Sequence, residues 1–138
     1  MNLTIERFKS AHRESYPQAL QEIQNGRKES HWIWYIFPQI EGLGRSITSL
    51  YYAIQNRAEA EEYWADPELA AHMREILQAL LQAEGSAWEI MGPDAIKLRS
   101  SMTLFLAVTG EPIFRQVLDR FFEGVQDSRT LEILERKK

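Results

Sequence analysis

Apolar residues recur every three or four positions along most of this chain, which is the period of an amphipathic helix. The widest apolar stripe follows Asp66–Pro67, a capping residue and a proline in the first turn, and it runs to about Ala83. A second stripe begins at Pro112 and ends at Gly124, where glycine predicts a helix stop. The pattern therefore predicts at least two helices long enough to cover a core.

An earlier stripe, over residues 8–23, ends at Asn25–Gly26 and contains Pro17. Proline lacks an amide donor and collides with the preceding turn of a helix. We therefore expect the first helix to break or restart at Pro17, with Ser15 as a candidate cap.

Capping residues mark the remaining helices, several of them short. Asn56 with Glu59, and Ser86 with Glu89, have the spacing of capping boxes, in which each residue satisfies a free backbone amide of the other. Asp127 is a candidate cap for the last helix. These signals predict helices over 46–54, 56–64, 86–92, 94–109 and 127–134.

The segment from Trp32 to Phe37 is rich in aromatic and β-branched residues, which favour a strand. Both faces of such a strand would be apolar, however, and no other segment is predicted to pair with it. A short buried helix, capped by Ser30 and ending before Pro38, fits the sequence better. We therefore predict an all-α fold, one compact domain over residues 1–138 with roughly seven to nine helices.

Composition narrows the class of protein. A chain of 138 residues with 44% hydrophobic residues is sufficient for one domain with a core. The net charge of −4 and the pI of about 5.4 argue against nucleic-acid and membrane partners. Cysteine is absent, which excludes disulfides and fits a cytoplasmic protein. No metal-ligand motif is present, so we expect neither a metal nor another cofactor.

Four motifs resemble an uncharacterised family, domain of unknown function 1810, whose members are sometimes labelled calpastatin. The motifs are Ser30–Gln39, Gly42–Ser46, Lys97–Phe105 and Phe121–Gly124. The resemblance covers about residues 3–134 and implies a mainly helical domain with no established activity. The calpastatin label is unsafe, because calpain inhibition is known from disordered repeats and this composition is that of a globular chain.

The block Ser30–Gln39 supplies aromatic and polar candidates for a site. His31 is a candidate catalytic acid or base, or a polar anchor; alternatively it bonds to the backbone at a helix start. Trp34 is a candidate stacking platform and Gln39 a candidate orienting group. A structural role in the core is the competing interpretation for the tryptophan.

The loop Gly42–Ser46 has two interpretations. Its glycines and a following helix could bind a phosphate, with Arg45 adding donors. It matches neither the Walker pattern nor the dinucleotide fingerprint, however. A tight turn in which Ser46 caps the helix is the alternative.

The helix that begins near Asp94 has a polar first half on an otherwise apolar segment. Lys97 and Arg99 lie near its N-terminus, where positive charge opposes the helix dipole. An anion should therefore compensate them, either an internal carboxylate such as Asp94 or a ligand. Three hydroxyl residues complete the candidate ligand-binding set: Ser100, Ser101 and Thr103.

Two functions remain open from these residues. The first is the binding or processing of a small anionic ligand, nucleotide-like or ADP-ribose-like, between the Ser30–Ser46 and Lys97–Thr103 motifs. The second is a non-enzymatic module that binds another protein, in which both motifs serve only the fold. The first requires that Arg99, Lys97 and His31 lie together at a cavity; it fails if they are scattered, or if each is held by an internal pair with no adjoining cavity.

Overall fold

Nine α-helices follow one another along residues 3–138, the part of the chain that this computed structural model describes. The fold class is all-α, as predicted. Within that range, the extended pairing is a single bridge between Ile40 and Ile54. A 3-10 turn over Gly92–Asp94 separates two of the helices. The helices are α1 (Glu6–Gln24), α2 (Ile33–Ile36), α3 (Ile47–Tyr52), α4 (Arg57–Ala65), α5 (Pro67–Gln82), α6 (Ala87–Met91), α7 (Ala95–Thr109), α8 (Pro112–Phe122) and α9 (Ser128–Arg136).

Two helix pairs organise the core. α1 packs along α5, α7 packs along α8, and α4 and α9 close against α7. α7 is buried over most of its length because it lies between these layers, which fits its apolar sequence. The largest fully buried side chains are Trp32, Tyr63, Phe8, Phe37, Phe105 and Phe114.

Contrary to the prediction, α1 is not broken at Pro17. The helix is continuous from Glu6 to Gln24 with the proline inside it. Pro17 lies on the exposed face, so the backbone carbonyl that loses its partner can bond to water. Tyr16 and Ala19 on either side are buried in the core, and their packing outweighs the local cost.

The predicted caps are largely confirmed. Asp66 accepts from the Leu69 amide at 3.0 Å, and Ser86 and Glu89 form the full capping box. Asn56 caps α4 through the Glu59 amide at 2.9 Å, but its box does not close. The Glu59 carboxylate instead accepts from buried Arg7 at 2.8 and 2.9 Å, a stronger, charge-assisted pair.

The prediction that Ser30 caps the aromatic helix is wrong. α2 covers only Ile33–Ile36, and the residue before it, Trp32, makes no side-chain cap. Ser30 does not cap α2 because its amide and its hydroxyl both donate to Glu22 on α1, at 2.9 and 2.6 Å. A buried carboxylate competes better for these donors than the start of a four-residue helix does.

The Glu22 carboxylate fixes the loop over residues 27–32 to the end of α1. Besides the two bonds from Ser30, it accepts from the Glu29 amide at 2.7 Å and from the Trp32 indole at 2.8 Å. Burial raises the pKa of Glu22, but these four donors outweigh burial and lower it to about 2. Glu22 is therefore a charged residue retained inside the fold because the loop satisfies it.

The glycine loop packs closely against two helices. A Cβ on Gly42 would lie 3.2 Å from Ile133 of α9, and the backbone there has a φ of +115°. A Cβ on Gly44 would lie 2.6 Å from the Ser49 hydroxyl of α3. Ser46 caps α3 by accepting from the Ser49 amide at 3.0 Å. The turn interpretation therefore accounts for both glycines and for Ser46.

We expect Glu22→Gln to lower the free energy of unfolding at pH 7 by about 2–3 kcal/mol, because an amide replaces a carboxylate that accepts four hydrogen bonds. The folded pKa of Glu22 lies below the unfolded value of 4.5, so its contribution is present above about pH 4.5 and is lost as the pH falls towards 2. Urea unfolding between pH 7 and pH 2.5 measures both effects.

Glu29→Gln is the matched control, because the Glu29 side chain is exposed on the same loop. It should change the unfolding free energy by less than about 0.5 kcal/mol. Equal effects of the two substitutions would contradict the role assigned to Glu22.

We expect Gly44→Ala to lower stability by about 1–3 kcal/mol, because the new methyl group overlaps Ser49. Adding Ser49→Gly should recover part of this loss. Thermal unfolding of the two single variants and the double variant measures the coupling, and strictly additive losses would show that the contact is unimportant.

Candidate functional site

The two motifs expected to form a site meet at one contact. The Lys97 ammonium lies 4.9 Å from the centre of the Trp34 ring, over its face. Lys97 also pairs with Asp94 at 3.0 Å, so the internal carboxylate of the two alternatives is present. The aromatic face that was expected to stack on a ligand is thus covered by a lysine from the second motif.

Asp94 is shared by two lysines. Its second oxygen lies 2.8 Å from Lys28, whose side chain is only 7% exposed. Lys28 also donates to the Ser30 carbonyl and lies over the Trp32 ring at 4.9 Å. Burial raises the pKa of Asp94, but the hydrogen bonds and charges of both lysines lower it below its usual range. Asp94 therefore holds Lys28 and Lys97 together beside the aromatic block.

A groove of about 750 Å³ opens beside this cluster. One wall is the loop over residues 27–31, which Glu22 holds in place, and the other is α6 with the 3-10 turn that follows it. The backbone joins the walls, since the Lys28 amide donates to the Ile90 carbonyl at 2.7 Å. Lys28 and Asp94 contribute to the lining, so their ion pair borders the groove.

Three side chains of the groove have no internal role. Arg27 and His31 are exposed and make no side-chain hydrogen bond or ion pair within residues 3–138. Trp88 is 62% exposed because its neighbours Ala87 and Ile90 occupy the buried face of α6. An exposed tryptophan beside an arginine and a histidine without internal partners is a combination suited to ligand contact.

Of the sequence candidates, only His31 lines this groove. Trp34 and Gln39 line a separate slot of about 10 Å³ with Leu43 and Tyr52, which is room for one water molecule. Arg45 is exposed on the loop before α3, a helix of only six residues.

Two hydroxyl residues of α7 hold α9 rather than a ligand. Ser100 donates to the Asp127 carboxylate at 3.0 Å. Thr103 donates to the Arg99 carbonyl at 2.8 Å and accepts from the Asp127 amide at 2.9 Å. Asp127 in turn caps α9 through Thr130. These polar residues are therefore satisfied by the start of the last helix.

Arg99 and Ser101 differ from their neighbours on α7. The Arg99 Nε and the Ser101 hydroxyl are buried, and neither has a hydrogen-bond partner in residues 3–138. Arg99 forms no ion pair in that range either. Neither side chain lines the groove over residues 27–31 and 88–94, so Arg99 and Lys97 do not surround one cavity with His31, contrary to the prediction.

Arg27, Lys28 and Trp88, which line the groove with His31, were not predicted from the sequence. The apolar positions Ala87, Ile90 and Met91 have helical spacing, and Trp88 falls outside that stripe, which is a local signal of its exposure. The pairing of Lys28 with Asp94 spans about half of the chain and has no local signal.

From residue 3 to residue 138, no three histidine, aspartate or glutamate side chains come together in a way that would hold a metal ion. None of the helices in the same range has both the length and the apolar character needed to span a bilayer.

Comparisons with known proteins agree with the fold. The crystal structure of the conserved hypothetical protein Rv1873 from Mycobacterium tuberculosis is 36% identical and superposes with a TM-score of 0.93, over 96% of this chain and 97% of that one. No curated protein matches the chain. The model of the family described as protein of unknown function (DUF1810) matches residues 2–134. The chain belongs to this family of proteins of unknown function.

Proposed function

We propose that the protein binds a small anionic ligand with an aromatic ring, nucleotide-like or ADP-ribose-like, in the groove between residues 27–31 and 88–94. The groove adjoins both sequence motifs, because Ser30 and His31 line it and Asp94 on its wall pairs with Lys97. The ligand of the proposal thus lies beside the contact between the motifs, rather than on Trp34.

The observation that carries the proposal is the shared carboxylate. Lys28 and Lys97 lie 2.8 and 3.0 Å from the two oxygens of Asp94, so two ammonium groups share one carboxylate beside the groove. A phosphate or carboxylate at this end of the groove would interact with Lys28, with exposed Arg27 as a planar donor. Glu29 and Glu89 also line the groove, so the anionic group is expected at the Lys28 end.

Trp88 supplies the aromatic contact of the proposed site. An exposed indole offers a flat surface for a base, and stacking of a base on an aromatic side chain is worth about 1–3 kcal/mol. His31 has no side-chain partner in the described residues that would fix its tautomer, so its role in the proposal is contact with the ligand. The proposal is therefore one of binding and names no reaction.

A thermal-shift screen with AMP, ADP-ribose and ribose 5-phosphate tests the proposal. A bound ligand at a hundred times its Kd stabilises the fold by about 2.7 kcal/mol. We expect AMP or ADP-ribose to raise the Tm, and ribose 5-phosphate, which lacks a base, to act more weakly.

Two matched pairs of variants locate the site. Arg27→Ala and Trp88→Ala should each weaken binding by about tenfold or more. Arg115→Ala and Tyr51→Ala remove an exposed arginine and an exposed aromatic residue outside the groove, and they should bind as wild type does. Equal binding by all four variants would place the ligand elsewhere, and no shift with any anion would reject the proposal.

A protein-interaction module is the second candidate function. α3 exposes three large apolar side chains at helical spacing: Ile47, which is 87% exposed, Leu50 and Tyr51. Such a face is typical of a contact surface. A negative ligand screen would favour this second function. It requires that Ile47→Asp abolish association with a protein partner while leaving the Tm unchanged.

A further inference from the structure

Two histidines that are remote in sequence face one another between α1 and α5. The Nδ1 atoms of His12 and His72 lie 3.0 Å apart, and their rings are nearly parallel. His12 is 1% exposed, and its Nε2 lies 2.8 Å from the Tyr35 carbonyl of α2. The pair therefore connects three helices, including the one that carries the aromatic block.

The hydrogen-bond partners determine both tautomers. A carbonyl oxygen only accepts, so the His12 Nε2 carries a proton and, in the neutral ring, the His12 Nδ1 is an acceptor. The His72 Nδ1 must then be the donor across the 3.0 Å gap. The remaining nitrogen, the His72 Nε2, holds the free lone pair. It is not among the buried atoms without a partner, so solvent reaches it.

The two rings respond differently to acid. A proton added to the His72 Nε2 leaves the bond between the rings intact. A proton added to the His12 Nδ1 places two N–H groups against each other and breaks that bond. The linkage between α1 and α5 thus tolerates one proton and is broken by the second.

We propose that the His12–His72 pair is an acid-sensitive clamp that holds α1, α5 and the aromatic helix α2 together at neutral pH and releases them when both rings are protonated. The proposal is independent of the groove and of any ligand there.

The surroundings favour charge on His72 over charge on His12. Burial lowers the pKa of His12 to about 4, although the bond to Tyr35 opposes this, and burial also lowers the pKa of His72. Glu68 and Glu75, which lie on either side of His72 along α5, favour its charged form and oppose the effect of burial. The titratable and charged groups that face the pair are Tyr16 on α1, Tyr63 on α4, the cap residue Asp66, and Glu68 and Glu75 on α5.

The sign of the effect follows from the lowered pKa of His12. The unfolded chain takes up a proton on His12 near pH 6.5, whereas the folded chain does so near pH 4. Stability is therefore lost as the pH falls below 6.5. Between pH 7 and pH 4.5, His12 alone should reduce the folding equilibrium constant by roughly 50- to 100-fold. This interval lies above the one in which Glu22 acts.

Urea unfolding at pH 7 and pH 4.5 tests the clamp. Glutamine at position 12 can donate an amide N–H to the Tyr35 carbonyl but does not titrate, so His12→Gln should reduce the change to less than about tenfold. His31→Gln, at an exposed histidine without a partner in the described residues, should retain the full change. The same pH dependence in His12→Gln and wild type would overturn the proposal.

Imidazole ¹⁵N NMR of the wild-type protein keeps the proposal testable if His12→Gln does not fold. The chain has only three histidines, so each ring can be followed. We expect an Nε2–H tautomer for His12, an Nδ1–H tautomer for His72, and protonation of His72 before His12 during acidification. An Nε2–H tautomer at His72, or protonation of His12 above pH 6, would overturn it.

Discussion

The Glu22 carboxylate is the constraint on which the site depends. It accepts four hydrogen bonds at 2.6–2.9 Å from Glu29, Ser30 and Trp32, and it is buried at the end of α1. Satisfying a buried charge needs several donors at once, and a loop can supply them only in one conformation. The loop over residues 27–32 therefore takes its shape from this carboxylate.

The lysine cluster depends on that loop. Lys28 reaches Asp94 and Trp32 only because the loop turns its side chain inward, and Lys97 reaches the same Asp94 from α7. Each lysine also covers one tryptophan ring, which compensates part of the cost of burying an ammonium group. The groove, the lysine cluster and the aromatic block therefore form one connected arrangement, with Glu22 at one end and Asp94 at the other.

Local signals predicted most of the helices and few of the contacts. The caps at Asp66 and Ser86 depend on residues three positions apart, so the sequence contains all that is needed to recognise them. The break at Pro17 and the cap at Ser30 were wrong because distant partners outweigh local preference: the core behind Tyr16, and the charge of Glu22. The pairing of Lys97 with Asp94 could be anticipated at three residues' distance, whereas that of Lys28 could not.

The polar half of α7 shows why a motif need not be a site. Asp127 accepts from Ser100 and donates to Thr103, so these hydroxyls are needed on a buried helix simply to receive the start of α9. A ligand is not required to explain them. Around the groove, the side chains that lack internal partners within residues 3–138 are Arg27, His31 and Trp88. Ligand binding is therefore proposed at the groove, where the fold leaves these three side chains without internal partners.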